Sequence, residues 1–330
     1  MLILDAGDAL AEQSTFVEGD DPQVIQDRAK VILEAYKALG VEAMNVGDRD
    51  LALGTPALME LARSSTIPFV SANILRANDQ QPVFVPHVIV EKSGAKIGVF
   101  GLVTPNYEKR TEHETVHGIQ IADPVTTAEQ QVQTLKAAGA QIIICIAQMT
   151  PDEELDLADK VKGITAILGS DTPGAQHVPE IRHGTYIVDG SEKGKHVSAL
   201  TLIVRDGEKP YEFVDPSRRK SLTDKLSMLT QRIQERSEVI AKIGDDPARS
   251  ANLKWAQQTL AQARAEHQTV QMELEELPEV DPNHSSLLIY DFIEIPSHLP
   301  EDPSVVESIA ALAAKHPRLQ KTKPTTTASP

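Results

Sequence analysis

The chain has 330 residues, 41% of them hydrophobic, enough for a substantial core in one large domain with additions or in two domains. Aromatic residues make up only 4%, so packing must rest on Val, Ile, Leu and Ala. A formal charge of −16 argues against a nucleic-acid partner, which calls for clustered Lys and Arg, and against an anionic membrane surface.

The chain opens on "MLILDAGD", which reads as the middle of a core strand with no signal peptide before it, as in a late start or a fragment. Strand-like runs then alternate with helical segments as far as residue 205: "LILDAG", "EAMNVG", "PFVSANI", "VFVPHVIVE", "AKIGVFGLV", "QIIICIAQ", "ITAILGS", "TYIVDG" and "HVSALTLIV". Several are continuous β-branched or Leu runs, as expected of strands covered on both faces. Between them, "DDPQVIQDRAKVILEAYKALG" carries an Asp cap, a first-turn Pro and a terminal Gly, and "DPVTTAEQQVQTLKAAGA" repeats those signals. The pattern predicts a layered α/β fold with a mixed sheet. Cys145 is the single cysteine, so no disulfide can form within the chain; a small core residue is the expectation. No apolar run reaches the roughly 18 residues of a membrane span.

From about residue 217 the composition turns to Gln, Glu, Lys, Arg, Ala and Leu. Apolar residues recur at three-and-four spacing, first at Leu222, Leu226, Leu229, Ile233, Ile240 and Ile243, with Arg236 interrupting. They resume at Leu253, Ala256, Leu260, Ala263, His267, Val270, Leu274 and Leu277. This heptad seam, broken at Gly244 and Pro247, predicts a long antiparallel helical hairpin of coiled-coil type, each helix reaching about 40 Å at 1.5 Å per residue. His267 reads as a tolerated polar position on the seam. "SSLLIYDFIEI" alternates like a strand, "LPEDPSVVESIAALAAKH" is a capped helix, and "QKTKPTTTASP" is a polar tail expected to be disordered. The expected domains are therefore 1–215, an α/β domain; 216–279, the hairpin; 280–316, a returning strand and helix; and 317–330, the tail.

In an open α/β sheet, ligands bind at the C-terminal tips of strands. Four tips carry polar residues: Asp5 and Asp8 in "LDAGD", Asp48, Arg49 and Asp50 in "NVGDRD", Gln148 in "IAQM", and Ser170, Asp171 and Thr172 in "ILGSDTP". Their convergence is a better signal than any one of them. His113 and His117 have the i, i+4 spacing of a metal pair, but lie in a stretch expected to be a solvated loop; His177, His183 and His196 are scattered. No Gly-x-Ser-x-Gly elbow, P-loop or dinucleotide fingerprint occurs.

The order of these segments resembles the calcineurin-like metallophosphoesterases of the 5'-nucleotidase type, over roughly residues 2 to 205 and again in "IEIPSHLPEDPSVVESIA". "ILDAGD" looks like the Gly-Asp motif whose Asp bridges two metals, "MNVGDRDLALG" lies where Gly-Asn-His-Asp/Glu is expected, and "AILGSDTP" takes the place of Gly-His-x-His. The resemblance implies a metal-binding hydrolase of nucleotides or other phosphate monoesters, a part in nucleotide catabolism, and an extracytoplasmic, periplasmic location. It also implies two divalent metals that activate a hydroxide.

The departures bear on that implication. Asp8 alone keeps its family identity at a ligand position. Asp48 stands for the Asn ligand, Arg49 for the transition-state-stabilising His, and Gln148 for a strand-tip His. The last motif has no His; Asp171 and Pro173 occupy its His positions, or Ser170 and Thr172 with a one-residue shift. The opening Asp-x-His motif is not in the chain. Imidazole ligands to a Zn- or Mn-type pair are thus nearly absent.

Three readings of the tips stay open. Asp8, Asp48 and Asp171, with Gln148 nearby, could hold a single Mg²⁺, Mn²⁺ or Ca²⁺ in preference to zinc. Alternatively, the Arg49 guanidinium takes the place of the metal, paired with Asp5, Asp8 or Asp171. Or these are Asp-rich surface turns. Arg49 and Asp50 are the candidate catalytic residues. The expectation is a divergent 5'-nucleotidase-like domain with a degraded metal site, a weakly active or non-catalytic scaffold (a pseudoenzyme) whose hairpin recruits a partner or self-associates. The alternative is an active metal-dependent hydrolase.

Overall fold

The computed structural model describes residues 1–13, 21–104, 118–170, 178–190, 194–205, 211–243, 250–277, 280–281 and 284–317. Asp171, Thr172, Pro173, His113, His117, His177, Gly244, Pro247 and the polar tail from 318 lie outside them. The described chain is mixed α/β, with seven α-helices flanking its sheets. It divides into two compact units, one built from residues 1–199, 209–211 and 290–330, the other from 200–208 and 212–289.

In the first unit a small parallel sheet, β1 (Leu4–Asp5), β2 (Ala43–Asn45) and β3 (Phe69–Val70), has order β1-β2-β3. It packs on α1 (Pro22–Leu39) and α2 (Thr55–Ser64). Asp21 caps α1 by accepting from Gln23 N, Pro22 opens it, and Gly40 closes it in the left-handed region at φ 78°, as the sequence signals require.

The larger sheet is formed by β5 (His87–Lys92), β6 (Ala95–Val103), β8 (Ile142–Gln148), β9 (Ala166–Gly169), β10 (Glu180–Arg182) and β11 (Thr185–Asp189), in order β10-β11-β9-β8-β6-β5. β6, β8, β9 and β11 are parallel neighbours, and every residue of β8 is buried. This is why "QIIICIAQ" is continuously apolar rather than alternating. Helices α3 (Pro124–Ala137) and α4 (Pro151–Lys160) cover it with Val132, Leu135, Leu157 and Ala158. Cys145 is buried in that core.

The run "PFVSANI" forms two strands rather than one, β3 and β4 (Ile74–Arg76), the latter antiparallel to β7 (Ile119–Ile121). The break occurs where the Asn73 side chain replaces ladder bonds. Its Nδ2 donates to Val103 O at 2.8 Å and Ala122 O at 3.2 Å, and its Oδ1 accepts from Val103 N at 2.9 Å. Likewise β5 begins only after Pro86, which has no N–H to give a ladder.

In the second unit α5 (Arg218–Ile243) and α6 (Ser250–Glu276) run antiparallel, with contacts stepping from Arg218–Glu273 through Lys225–Glu266 to Arg236 over the Trp255 ring at 4.8 Å. Leu222, Leu229, Ala256, Ala263 and Val270 are buried along the seam, and His267 Nε2 meets Thr230 Oγ1 at 3.1 Å. β13 (Phe213–Val214) pairs in parallel with the start of β14 (Ser286–Glu294); the sheet order is β12-β14-β13, with β12 at His196–Ile203.

Helix α7 (Pro303–Lys315) has no buried residue of its own, yet it docks on α1 in the first unit through a polar clasp. Buried Asp27 of α1 meets Lys315 Nζ at 2.6 Å and His316 Nε2 at 2.8 Å, with Lys30 Nζ at 3.8 Å. The hydrogen bond from Lys315, and then that from His316, hold the Asp27 carboxyl down at about 2. A folded value below the unfolded one means stability present above about pH 4 and lost as pH falls through about 2. Asp27→Asn should therefore lower the calorimetric Tm at neutral pH, and its deficit against the parent should close on acidification toward pH 2.

Candidate functional site

The C-terminal tips of β1, β2, β8 and β9 meet. The loop after β1 (Ala6–Leu10) and the loop after β2 (Val46–Asp50) are interlocked by one buried carboxylate. Asp50 Oδ2 accepts from Asp8 N at 3.0 Å and Gly47 N at 2.9 Å, and its Oδ1 accepts from Leu10 N at 2.8 Å. Asp8 sits at φ 65°, a left-handed conformation uncommon outside glycine. Its carboxyl lies where a side chain at position 47 would go. A Cβ on Gly47 would come within 2.2 Å of Asp8 Oδ1 and 2.7 Å of Asp8 N, so only glycine fits.

Asp8 Oδ1 accepts from Arg49 N at 2.9 Å, and Arg49 Nε stands 3.4 Å from Asp8 Oδ2. The Arg49 side chain is 46% exposed and that of Asp8 only 8%, so the guanidinium covers the carboxyl from the solvent side. Asp48, 5% exposed, has its N–H 3.4 Å from Gln148 Oε1, and Ser170 Oγ donates to Ala6 O at 3.2 Å. Asp5 turns away from Arg49: its oxygens accept from Gly7 N at 3.0 Å and Tyr36 OH at 2.8 Å.

Crowding carboxylates in a desolvated place has a cost. Burial, with the charges of Asp50 and Asp48 adding to it, pushes the Asp8 carboxyl up to about 8 in spite of Arg49. Burial raises Asp50 to about 7, its three amide donors working the other way. Asp5 is raised by burial, partly offset by Tyr36 and Gly7.

The donor set fits an imidazole-ligated pair of metals poorly. Asp50 spends both oxygens on amides, Asp8 meets Arg49 with both of its own, and no His lies at a described tip. Among the described residues no group of three His, Cys, Asp or Glu could hold a metal ion. The structure thus brings together Asp8, Asp48, Arg49, Asp50 and Gln148, while Asp171 lies outside the described residues. His183 is instead near Asp159 at 3.4 Å, and His196 stacks on Phe292 at 4.3 Å.

Sequence reasoning passed over Asn45, whose Nδ2 donates to Ala6 O at 3.0 Å and Leu102 O at 2.7 Å, joining the loop after β1 to β6. Its signal was an amide inside the apolar run "AMNV". It also passed over Thr104, whose Oγ1 donates to Glu153 Oε1 at 2.8 Å at the start of α4; the Thr-x-x-Glu spacing of the Thr150–Glu153 capping box, also passed over, is the signal that could have marked that helix.

No protein-family model matches the chain. It is 27% identical to protein UshA of Yersinia enterocolitica over 272 residues, 72% of this chain and 48% of that relative. The sulfate thiohydrolase SoxB of Thermus thermophilus superposes with a TM-score of 0.63 at 17% identity, covering 96% of this chain and 43% of SoxB. A 5'-nucleotidase precursor, also from Thermus thermophilus, gives 0.59 at 18% identity, over 97% of this chain and 50% of that one. The chain spans about half the length of the curated relatives it matches. The layered α/β architecture is the metallophosphoesterase fold. Within it the chain is a distant relative of the 5'-nucleotidase type.

Two outcomes follow from this geometry. Gly47→Ala should destabilise the protein by about 1–3 kcal/mol, the usual range for overpacking, in chemical denaturation. In chelator-treated protein, carboxyls with raised folded values hold protons the unfolded chain releases near pH 4. The stability these two carboxyls contribute should thus be complete below about pH 4 and be lost as pH rises through 7 to 8, and Asp8→Asn should flatten that decline in calorimetry.

Proposed function

We propose that the chain is a 5'-nucleotidase-like phosphoesterase domain in which the guanidinium of Arg49 supplies the positive charge at the strand tips, leaving a weakly active or non-catalytic scaffold. The observation that carries this reading is the pairing of Arg49 with Asp8 through both its backbone N–H and its Nε. A permanent cation beside a buried carboxylate offsets part of the electrostatic problem that a bound ion would relieve, and a guanidinium cannot deliver an activated hydroxide. The exposed Met228, Trp255 and Met272 of the hairpin suit a part in recruiting a protein partner or a second copy. An extracytoplasmic location goes with the resemblance, and no described helix is long and apolar enough to cross a membrane.

The second reading is an active hydrolase of nucleotides or other phosphate monoesters, with Asp8, Asp48, Gln148 and Asp171 around one hard divalent cation. It is favoured by the names of the relatives and by the raised Asp8, whose carboxyl is only partly compensated by Arg49. Elemental analysis of the purified protein, with an aryl-phosphate assay in added Mg²⁺ or Mn²⁺, separates the two. We expect well below one transition metal per chain and phosphate release at the level of the blank. Stoichiometric metal, or metal-dependent turnover that Asp8→Ala abolishes, overturns the scaffold reading in favour of the hydrolase.

A further inference from the structure

Asp50 is fully buried, and both of its oxygens end on backbone amides brought from two loops about forty positions apart in sequence. We propose that Asp50 is the positioning residue of the strand-tip site, setting the backbone of Asp8 and, through it, the Asp8–Arg49 pair.

The argument is geometric. Asp8 holds a left-handed backbone, uncommon for a residue with a side chain although Asp tolerates it better than most, and its N–H is bound by Asp50 Oδ2. The same oxygen binds Gly47 N and so clamps the second loop against the first. With both loops fixed, the Asp8 carboxyl fills the space left by the missing Gly47 side chain and meets Arg49 N and Nε. The Asp50 carboxylate is buried and bonds the amides of Asp8, Leu10 and Gly47, while the amide and Nε of Arg49 meet Asp8, so Asp50 acts on the pair through Asp8. A carboxylate is required because all three partners are donors. An Asn at 50 has one acceptor oxygen and one NH₂. Whichever way it turns, a donor faces either the Leu10 amide or the Asp8 and Gly47 amides.

The importance of the inference rests on reading the strand tips as the working site, but its test does not. Amide hydrogen exchange by NMR is measured on the full chain, on Asp50→Asn, and on Leu135→Ala as a core variant of lowered stability remote from the tips. In the parent, the amides of Asp8, Leu10 and Gly47 should exchange at least about 100-fold more slowly than in an unstructured chain. In Asp50→Asn they should quicken by about tenfold or more, and so should the amide of Arg49, whose acceptor is Asp8 and not Asp50. Leu135→Ala should not single out these four. Unprotected amides in the parent overturn the proposal, and should Asp50→Asn fail to fold, the parent's protection pattern decides it. An Arg49 amide unmoved in folded Asp50→Asn also overturns it, since that leaves Asp50 only a local fastener. Phosphate release from an aryl phosphate, assayed on the same samples, bears on the site's function alone, so the two readings fail separately.

Discussion

Burying Asp8, Asp48 and Asp50 within two touching loops is the constraint around which the strand tips are organised. Each carboxyl taken out of water loses hydration, and each raises the free energy of its neighbours' ionised forms. The chain meets this in two ways. Asp50 is wrapped in three amides, and Asp8 takes an amide and a guanidinium. Both solutions use backbone, which cannot diffuse away. The site is therefore preorganised by main-chain dipoles, and Arg49 is its one solvent-facing cation among the described residues at these tips.

The surrounding fold makes this arrangement rigid. β6 and β8 are buried nearly throughout, and their tips deliver Thr104 and Gln148 to fixed positions. Asn45 and Asn73 then fasten strand ends to one another where ladders stop. Both carboxamides are fully buried; Asn73 bonds through its nitrogen and its oxygen, whereas Asn45 bonds through its nitrogen and leaves its Oδ1 without a hydrogen bond. The precision of the tips is thus inherited from the sheets and riveted by amides.

Much of this was legible in the residues. Caps at Asp21, Asp123 and Asp302 marked three helices, unbroken Ile and Val runs marked the buried parallel strands, and the order of segments carried the resemblance to the metallophosphoesterase fold. The short strands β7, β10 and β13 were not readable, since their two or three residues sit among polar neighbours in "GIQIAD", "PEIRHG" and "EFVDP" with no apolar run to mark them. The clustering at the tips was visible, but the part taken by each Asp was not. Asp5 and Asp50 look alike in the sequence, yet one accepts from the Tyr36 hydroxyl and a near neighbour's amide, the other from three amides, two of them some forty positions away. Partners brought together from such distances leave no local trace.

The stacking of Arg236 on Trp255 has a practical corollary. Trp255 is the chain's single tryptophan, and it belongs to the helical unit, not to the sheets that bear the site. Indole emission consequently watches one body of the molecule and is blind to the other. A fluorescence transition followed in denaturant describes the coming apart of two helices, while the fate of the strand tips has to be followed through signals from tyrosine or the peptide group.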